Sequence, residues 1–178
     1  MSSGATSNGG GMRVLLVDDD VTIGVMLSIG LPELELVEAT SLADARAVLA
    51  ADDARSIDAV VVDRRLADGD GLDLVREIRR TFTTSRTPVV LLTAGHDEAD
   101  RAAVMRAGAD RYLAKPVDPD ELVAHVSSVL AVAPADRRAN RADAVRGDVD
   151  VRAPEVDVRD GTPPRRVPLL ARFRRRTG

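Results

Sequence analysis

The chain has 178 residues, a net charge of −4 and no cysteine, and only 2% of its residues are aromatic. This length suits one domain of about 100–150 residues with flanking segments. The lack of cysteine excludes disulfides, thiolate metal ligands and a cysteine nucleophile. No apolar run approaches the roughly 20 residues of a membrane span, and the first residues lack the apolar core of a secretory signal. We therefore expect a cytoplasmic protein with no membrane span.

Charge is unevenly distributed along the chain. Residues 1–133 hold 13 Arg or Lys against 22 Asp or Glu, a net −9, whereas residues 134–178 hold 12 Arg against 7 acids, a net +5. Residues 1–11 have the Ser/Gly/Asn composition of a flexible leader. We expect one domain over residues 12–132, followed by a basic tail, residues 133–178, that is rich in Pro, Arg and Asp and largely disordered.

Short aliphatic runs alternate with segments of helical spacing from Met12 onward. In chain order, the runs predict strands at 13–17, 33–39, 58–62, 87–92 and 109–114. The helical segments between and after them are 21–31, the stripe from Leu42 to Leu49 behind a Ser41 cap, the stripe from Leu74 to Ile78, residues 98–107, and the stripe from Leu122 to Leu130 entered through Asp118-Pro119.

Strict alternation of five strands and five helices predicts an α/β fold. Right-handed crossovers then give a parallel sheet with helices on both faces. The runs VLLV and AVVV are apolar without a period of two, which suits strands that are buried on both faces. Because ligands of such sheets bind outside the carboxyl ends of the strands, we look for function at the residues that follow each strand.

Polar and charged residues follow four of the five predicted strands: Asp18, Asp19 and Asp20 follow the first, Asp63 the third, Thr93 the fourth and Lys115 the fifth. Clustered carboxylates repel one another unless they share a cation, and Mg²⁺ suits carboxylate and phosphate oxygens. With a metal present, one carboxylate can act as a nucleophile toward phosphorus. Lys115 would then balance the phosphoryl charge, and Thr93 would donate a hydrogen bond to it.

Four motifs carry a resemblance to a known family: VLLVDDD at 14–20, VVVD at 60–63, LLTAG at 91–95 and YLAKP at 112–116. In this order and spacing, residues 12–132 resemble a response-regulator receiver domain of two-component signalling, similar to the chemotaxis-type receiver. The resemblance implies a flavodoxin-like, doubly wound (βα)5 fold with strand order 2-1-3-4-5. It also implies a signalling switch rather than a metabolic enzyme, phosphorylated by a sensor histidine kinase or a phosphotransfer protein.

The resemblance also assigns roles to residues of this sequence. It implies that Asp63 is the phosphoacceptor and that Mg²⁺ is held by Asp18, Asp19, Asp63 and the backbone carbonyl of Arg65. Thr93 and Lys115 match the residues that contact the phosphoryl group.

Further along, Tyr112 matches the aromatic residue that swings inward when the threonine follows the phosphate. A homodimer through the face around Tyr112 is one expected consequence. The resemblance further implies a small residue at Ala94 and a cis Lys115-Pro116 bond.

The segment after Asp63 departs from the family pattern. Ala67 stands where a proline is common, which suggests a looser loop. Arg65 stands where the side chain influences attack by water, so the sequence leaves the phosphoryl lifetime open. The remaining acids of this segment, Asp68, Asp70 and Asp73, are interpreted as solvated neighbours in the loop and the first turn of the next helix.

Two other functions stay open at the level of sequence. A Mg²⁺-dependent aspartyl phosphohydrolase would need a second acid two residues after its nucleophile, where this chain has Arg65. The segment DVDVRAPEVDVRDGTPPRRVPLL suggests a truncated winged-helix transcriptional regulator. Its basic tail would then bind an anionic partner. The sequence offers no recognition helix there, so nucleic-acid binding is unsupported.

Overall fold

The structure of the chain is a computed structural model. Its described residues are 12–51, 57–81, 83–95 and 98–132. The predicted leader, the predicted tail and the winged-helix resemblance within that tail lie outside them.

Every predicted strand and helix is present, with small shifts at the ends. In chain order the elements are β1 (Met12–Val17), α1 (Val21–Gly30), β2 (Leu34–Ala39), α2 (Leu42–Ala50), β3 (Ile57–Asp63), β4 (Arg65–Leu66), β5 (Gly69–Asp70), α3 (Gly71–Arg80), β6 (Val89–Thr93), α4 (Glu98–Ala107), β7 (Arg111–Ala114) and α5 (Pro119–Ala131). The short β4–β5 pair was not predicted. It is an antiparallel hairpin in which Gly69 has a φ of +152°, a backbone conformation that favours glycine.

Five parallel strands form the main sheet in the order β2-β1-β3-β6-β7. When the two hairpin strands are left out of the count, this is the predicted order 2-1-3-4-5. The register pairs Asp63 with Leu92 and Thr93 with Ala114. Asp63, Thr93 and the residues after β1 and β7 therefore meet at one edge of the sheet.

Both faces of the sheet are covered by helices. Within β1, Leu15 and Val17 belong to a core shared with α2, α3 and α4, whereas Val14 and Leu16 belong to a core shared with α1 and α5. All four side chains are at most 3% exposed. Burial on both sides explains why the strand sequences are continuously apolar rather than alternating.

Helix starts follow the predicted capping chemistry. Ser41 Oγ accepts the backbone N–H of Asp44 at 3.0 Å and donates to its carboxylate at 2.7 Å. Asp118 accepts the N–H groups of Asp120 and Glu121 at the start of α5. With α5 the longest at 13 residues, none of the helices in the described ranges has the length and apolar character to cross a bilayer.

Candidate functional site

Lys115 joins two carboxylates at the carboxyl edge of the sheet. Its Nζ donates to Asp63 Oδ2 at 2.6 Å and to Asp18 Oδ2 at 3.1 Å. The side chain of Asp18 is fully buried, that of Asp63 is 9% exposed and that of Lys115 is 26% exposed. The structure thus brings together three of the predicted site residues from three separate strand ends.

Asp19 completes a cluster of three carboxylates. Asp18, Asp19 and Asp63 each offer an oxygen atom, and these atoms all lie within 4.8 Å of one another. The single positive charge of Lys115 does not balance three carboxylates, so the cluster keeps an excess of negative charge. An all-oxygen donor set of this charge fits a hard divalent cation such as Mg²⁺.

Burial and the shared lysine change the acidity of the site. Burial raises the pKa of Asp18, and this effect outweighs the hydrogen bonds from the Asp20 N–H and from Lys115, which lower it. Burial also acts to lower the pKa of Lys115, but its bonds to Asp63 and Asp18 more than compensate, so that this pKa is raised. Lys115 is therefore held in its charged form beside Asp63.

Main-chain contacts fix the two acids in place. The backbone N–H of Asp18 donates to Ala39 O at 3.1 Å, and Asp18 Oδ1 accepts the Asp20 N–H at 2.9 Å. On β3, Asp63 Oδ1 accepts the Arg65 N–H at 3.2 Å. Each carboxylate is thereby oriented by its own loop before any ligand is present.

Gly71 lets helix α3 begin directly against the phosphoacceptor candidate. Its N–H donates to Arg64 O at 2.7 Å. A Cβ atom at this position would lie 2.2 Å from the carbonyl oxygen of Asp63. A side chain at Gly71 would therefore displace the backbone that carries Asp63.

Thr93 ends β6 at the same edge and is 2% exposed. Its Oγ1 accepts the N–H of Gly95 at 3.1 Å, and its carbonyl accepts the N–H of Lys115 at 2.7 Å. Thr93 is thus tied to Lys115 through the main chain. Ala94, the predicted small residue, is exposed beside it.

Tyr112 lies on β7 and is partly buried. It packs against Met105 of helix α4 and against the core on the α2, α3 and α4 side of the sheet. Directly after β7, the Lys115-Pro116 peptide bond is cis, as the resemblance implied.

Two of the acids predicted to be solvated neighbours lie in the loop and stay accessible to solvent, but they also cap helices, which was not predicted. Asp68 accepts the backbone N–H groups of Leu42 and Ala43, at 3.0 Å each, at the start of α2. Asp70 caps α3 by accepting the N–H of Leu72 at 2.9 Å. The role of Asp70 could have been predicted from the sequence, because Asp70 and Leu72 lie two residues apart, as in an Asx turn. The role of Asp68 could not, because Asp68 and Leu42 lie 26 positions apart.

The third acid, Asp73, is exposed and pairs with Arg76 at 2.7 Å. A further pair was not predicted at all: Arg64 Nη1 donates to Asp100 Oδ1 at 2.6 Å. This pair joins the residue after Asp63 to the first turn of α4. Its side chains are 20% and 29% exposed.

Comparison with known proteins identifies the family of this chain. A family model of the response regulator receiver domain matches residues 14–127. The chain is similar to the transcriptional regulatory protein GltR of Pseudomonas aeruginosa, with 36% identity over 141 residues, which cover 78% of this chain and 54% of that protein. It is also similar to the response regulator protein PmrA of Pseudomonas aeruginosa, with 41% identity over 120 residues, covering 66% and 52%.

Among solved structures, a putative response regulator from Chloroflexus aurantiacus is similar, with a TM-score of 0.61 and 35% identity. The match covers 68% of this chain and 98% of that one. By contrast, the chain spans about half the length of the curated relatives it matches.

Proposed function

This chain belongs to the response regulator receiver domain family, and from that premise we propose that Asp63 accepts the phosphoryl group of a two-component signal. The observation that carries the proposal is the contact between Lys115 Nζ and Asp63 Oδ2 at 2.6 Å. A cation thus lies beside one carboxylate, at the sheet edge where ligands of this fold class bind.

In the proposed transfer, an oxygen of Asp63 attacks the phosphorus of the donor. A bond forms between that oxygen and phosphorus, while the bond from phosphorus to the leaving group breaks. The leaving group is a ring nitrogen when the donor is a phosphohistidine of a kinase or phosphotransfer protein, and it is acetate when the donor is acetyl phosphate. Lys115, already charged and in contact with Asp63, stabilises the negative charge carried by the phosphoryl oxygens.

A magnesium ion belongs to this proposal. Asp18, Asp19 and Asp63 would hold it through carboxylate oxygens, and Arg65 would add its backbone carbonyl. When bound, the ion neutralises charge on the phosphoryl oxygens during transfer. The cluster of oxygens within 4.8 Å of one another supports this assignment.

The proposed switch runs from Thr93 to Tyr112. A phosphoryl group on Asp63 offers acceptors to the Thr93 hydroxyl, whose oxygen accepts a hydrogen bond from the Gly95 N–H. Movement of Thr93 toward the phosphate would open space for Tyr112, which packs on α4. A homodimer through the face around Tyr112 is the output we propose for this change.

Acetyl phosphate and intact-mass measurement test the proposal. We expect the full chain to gain the mass of one phosphoryl group with Mg²⁺ and not with EDTA. Asp63→Asn should abolish the gain, whereas the matched variant Asp73→Asn, in the same segment, should keep it. A gain that persists in Asp63→Asn would assign the chemistry to another residue.

The protein acts in this proposal as a switch, phosphorylated in the cytoplasm, rather than as an enzyme that turns over a substrate. Arg65 stands where a phosphohydrolase would carry its second acid, and its side chain is exposed. We therefore expect no sustained turnover of a phosphomonoester under conditions that phosphorylate Asp63. Multiple turnovers per chain would favour the hydrolase instead.

A further inference from the structure

Helix α1 carries an apolar stripe on its outer side. Val21, Val25 and Ile29 are 78%, 55% and 77% exposed, and they are the large hydrophobic side chains that stand exposed among the described residues. Their spacing of four puts them on one side of the helix. Leu27, by contrast, is fully buried in the core beneath the helix. A stripe of this kind, with no charge between its members, suits contact with a second apolar surface.

Acidic residues lie at both ends of this stripe in the sequence. From Val14 to Ala45 the sequence contains seven acids and no Arg or Lys. Asp20 lies just before the stripe and Glu33 just after it, and both are exposed. We call Val21, Val25 and Ile29, with Asp20 and Glu33 at the two ends, the α1 face.

The neighbouring helix adds no positive charge. Helix α5 also contains no Arg or Lys. It packs closely on α1, since a Cβ atom at Gly30 would lie 2.1 Å from Val123 Cγ2. The two helices thus present an apolar stripe with acids at its ends and no positive charge of their own.

One segment of this chain has the complementary pattern. Residues 165–176 read RRVPLLARFRRR, in which an apolar centre with Leu169 and Leu170 is flanked by arginines on both sides. Six arginines and no acid occur between Arg165 and Gly178. Apolar residues would cover the valines and isoleucine of the α1 face, while arginines meet the acids at its ends.

The length of chain between the two partners permits the contact. Helix α5 ends at Ala131, beside α1, and 32 residues separate Val132 from Arg165. This connection would span about 48 Å even if it were fully helical, and up to about 110 Å if it were extended. Helix α1 is only about 15 Å long. Because both partners belong to one chain, their effective concentration is high.

From these observations we propose that residues 165–176 bind the α1 face of the same chain. Val21, Val25 and Ile29 receive the apolar centre of the segment, and Asp20 and Glu33 pair with its arginines. The contact does not depend on phosphorylation of Asp63.

Paramagnetic relaxation enhancement in the full chain tests this contact. The chain has no cysteine, so Thr177→Cys gives a single attachment site for a nitroxide label. We expect several-fold faster relaxation for the amides of Val25 and Ile29 than for the amide of Arg76, which lies on α3 across the sheet. High salt should weaken the effect, because charge contributes to the contact.

Two variants of the tail separate the apolar and charged parts. Leu169→Ser/Leu170→Ser keeps every charge, and Arg174→Gln/Arg175→Gln/Arg176→Gln keeps the apolar centre; each should remove most of the enhancement at α1. Neither alters the described domain, so loss of folding cannot produce the result. An enhancement that survives in the leucine variant, or that spreads evenly over the surface, would overturn the proposal.

A mixing experiment identifies the occupant. Labelled, isotope-free chain is combined with isotope-enriched chain that carries no label. Enhancement at α1 in this mixture would mean that a second copy occupies the face, and equal relaxation at Val25 and Arg76 in the single-chain sample would mean that the tail does not bind it; either result overturns the proposal. Acetyl phosphate labelling of Asp63 in the same samples reports separately on the proposed function.

Discussion

Asp68 accepts the backbone N–H of Leu42 at 3.0 Å and thereby caps helix α2 from a loop that lies 26 residues later in the chain. The second carboxylate oxygen accepts the N–H of Ala43 at the same distance. The bond to Leu42 is the main cause of a lowered pKa of Asp68. This loop follows Asp63, the proposed phosphoacceptor, and it has Ala67 where the resemblance leads one to expect a proline. The two hydrogen bonds of Asp68 therefore anchor a loop that lacks the rigidity of that proline.

Loss of this cap is expected to destabilise the domain. Asp68→Ala leaves two N–H groups at the start of α2 without the acceptor that they now have, and we expect the melting temperature to fall by several degrees. Asp68→Asn retains one acceptor oxygen and should lose less. Thermal melts followed by circular dichroism measure the change. Asp73→Ala is the control, since Asp73 is exposed and forms a surface pair with Arg76; an equal loss in the control would contradict the capping role.

Mg²⁺ should stabilise the protein through the three carboxylates. A cation that binds the folded state raises its melting temperature by mass action. We expect millimolar Mg²⁺ to raise the melting temperature of the wild type and to leave that of Asp19→Asn unchanged. Without metal, Asp19→Asn should be at least as stable as the wild type, because it removes one of three mutually repelling charges.

An exposed acid outside the cluster provides the control for this experiment. Glu33→Gln changes the net charge by the same amount as Asp19→Asn, so it should respond to Mg²⁺ like the wild type. An equal loss of the response in both variants would indicate nonspecific screening rather than a site.

Much of the fold was predictable because the strands are buried on both sides. In a chain that alternates strands and helices, continuous apolar runs such as Val60–Val62 indicate the central strands of a parallel sheet. The carboxyl ends of parallel strands share an edge, so the convergence of Asp18, Asp63 and Lys115 followed once the strands were identified. Caps such as Ser41 were predictable because their partners lie within three residues.

Contacts between distant segments were not predictable in the same way. No local pattern connects Asp68 with Leu42 or Arg64 with Asp100, since both pairs form only when separate βα units pack together. Helix α1 gave a weak signal for a related reason. Its apolar residues lie on the outer side as well as the inner side, so Val25 and Leu27 blur the amphipathic pattern.

The pair between Arg64 and Asp100 should contribute measurably to stability. It is short, at 2.6 Å, and mostly shielded from solvent, so the charge-assisted hydrogen bond is weakly screened. In a double-mutant cycle with Arg64→Ala and Asp100→Ala, we expect a coupling of about 1 kcal/mol in the free energy of unfolding. Urea denaturation measures it.

A surface pair on α3 calibrates this cycle. Arg76 and Asp73 are 44% and 59% exposed and lie three residues apart, and such pairs contribute about 0.3 kcal/mol. Coupling between Arg64 and Asp100 no larger than in this reference cycle would mean that the pair does not hold the start of α4 to the loop after Asp63.

His125 is expected to make the stability depend on pH. Its side chain is 1% exposed, and within the described part of the chain neither Nδ1 nor Nε2 has a hydrogen-bond partner; Glu121 lies 3.8 Å from Nε2. Burial, and secondarily the positive charge of Arg111, lowers the pKa of His125 from 6.5 to about 4. The imidazole is therefore neutral in the folded protein from neutral pH down to about pH 4.

The sign of the effect follows from this depressed pKa. Below about pH 6.5 the unfolded chain binds a proton at His125 that the folded chain excludes, so stability is lost as the pH falls from 6.5 toward 4. His125→Leu lacks this proton uptake. As the pH falls from 6.5 to 4, its free energy of unfolding should therefore rise relative to that of the wild type by about 3 kcal/mol. Urea denaturation at several pH values measures the gain. His96→Gln, at the chain's other histidine, should track the wild type. If the difference in unfolding free energy between the wild type and His125→Leu stays constant with pH, His125 has the same pKa in the folded and the unfolded chain. The folded protein would then have to hydrate or expose this side chain in acid.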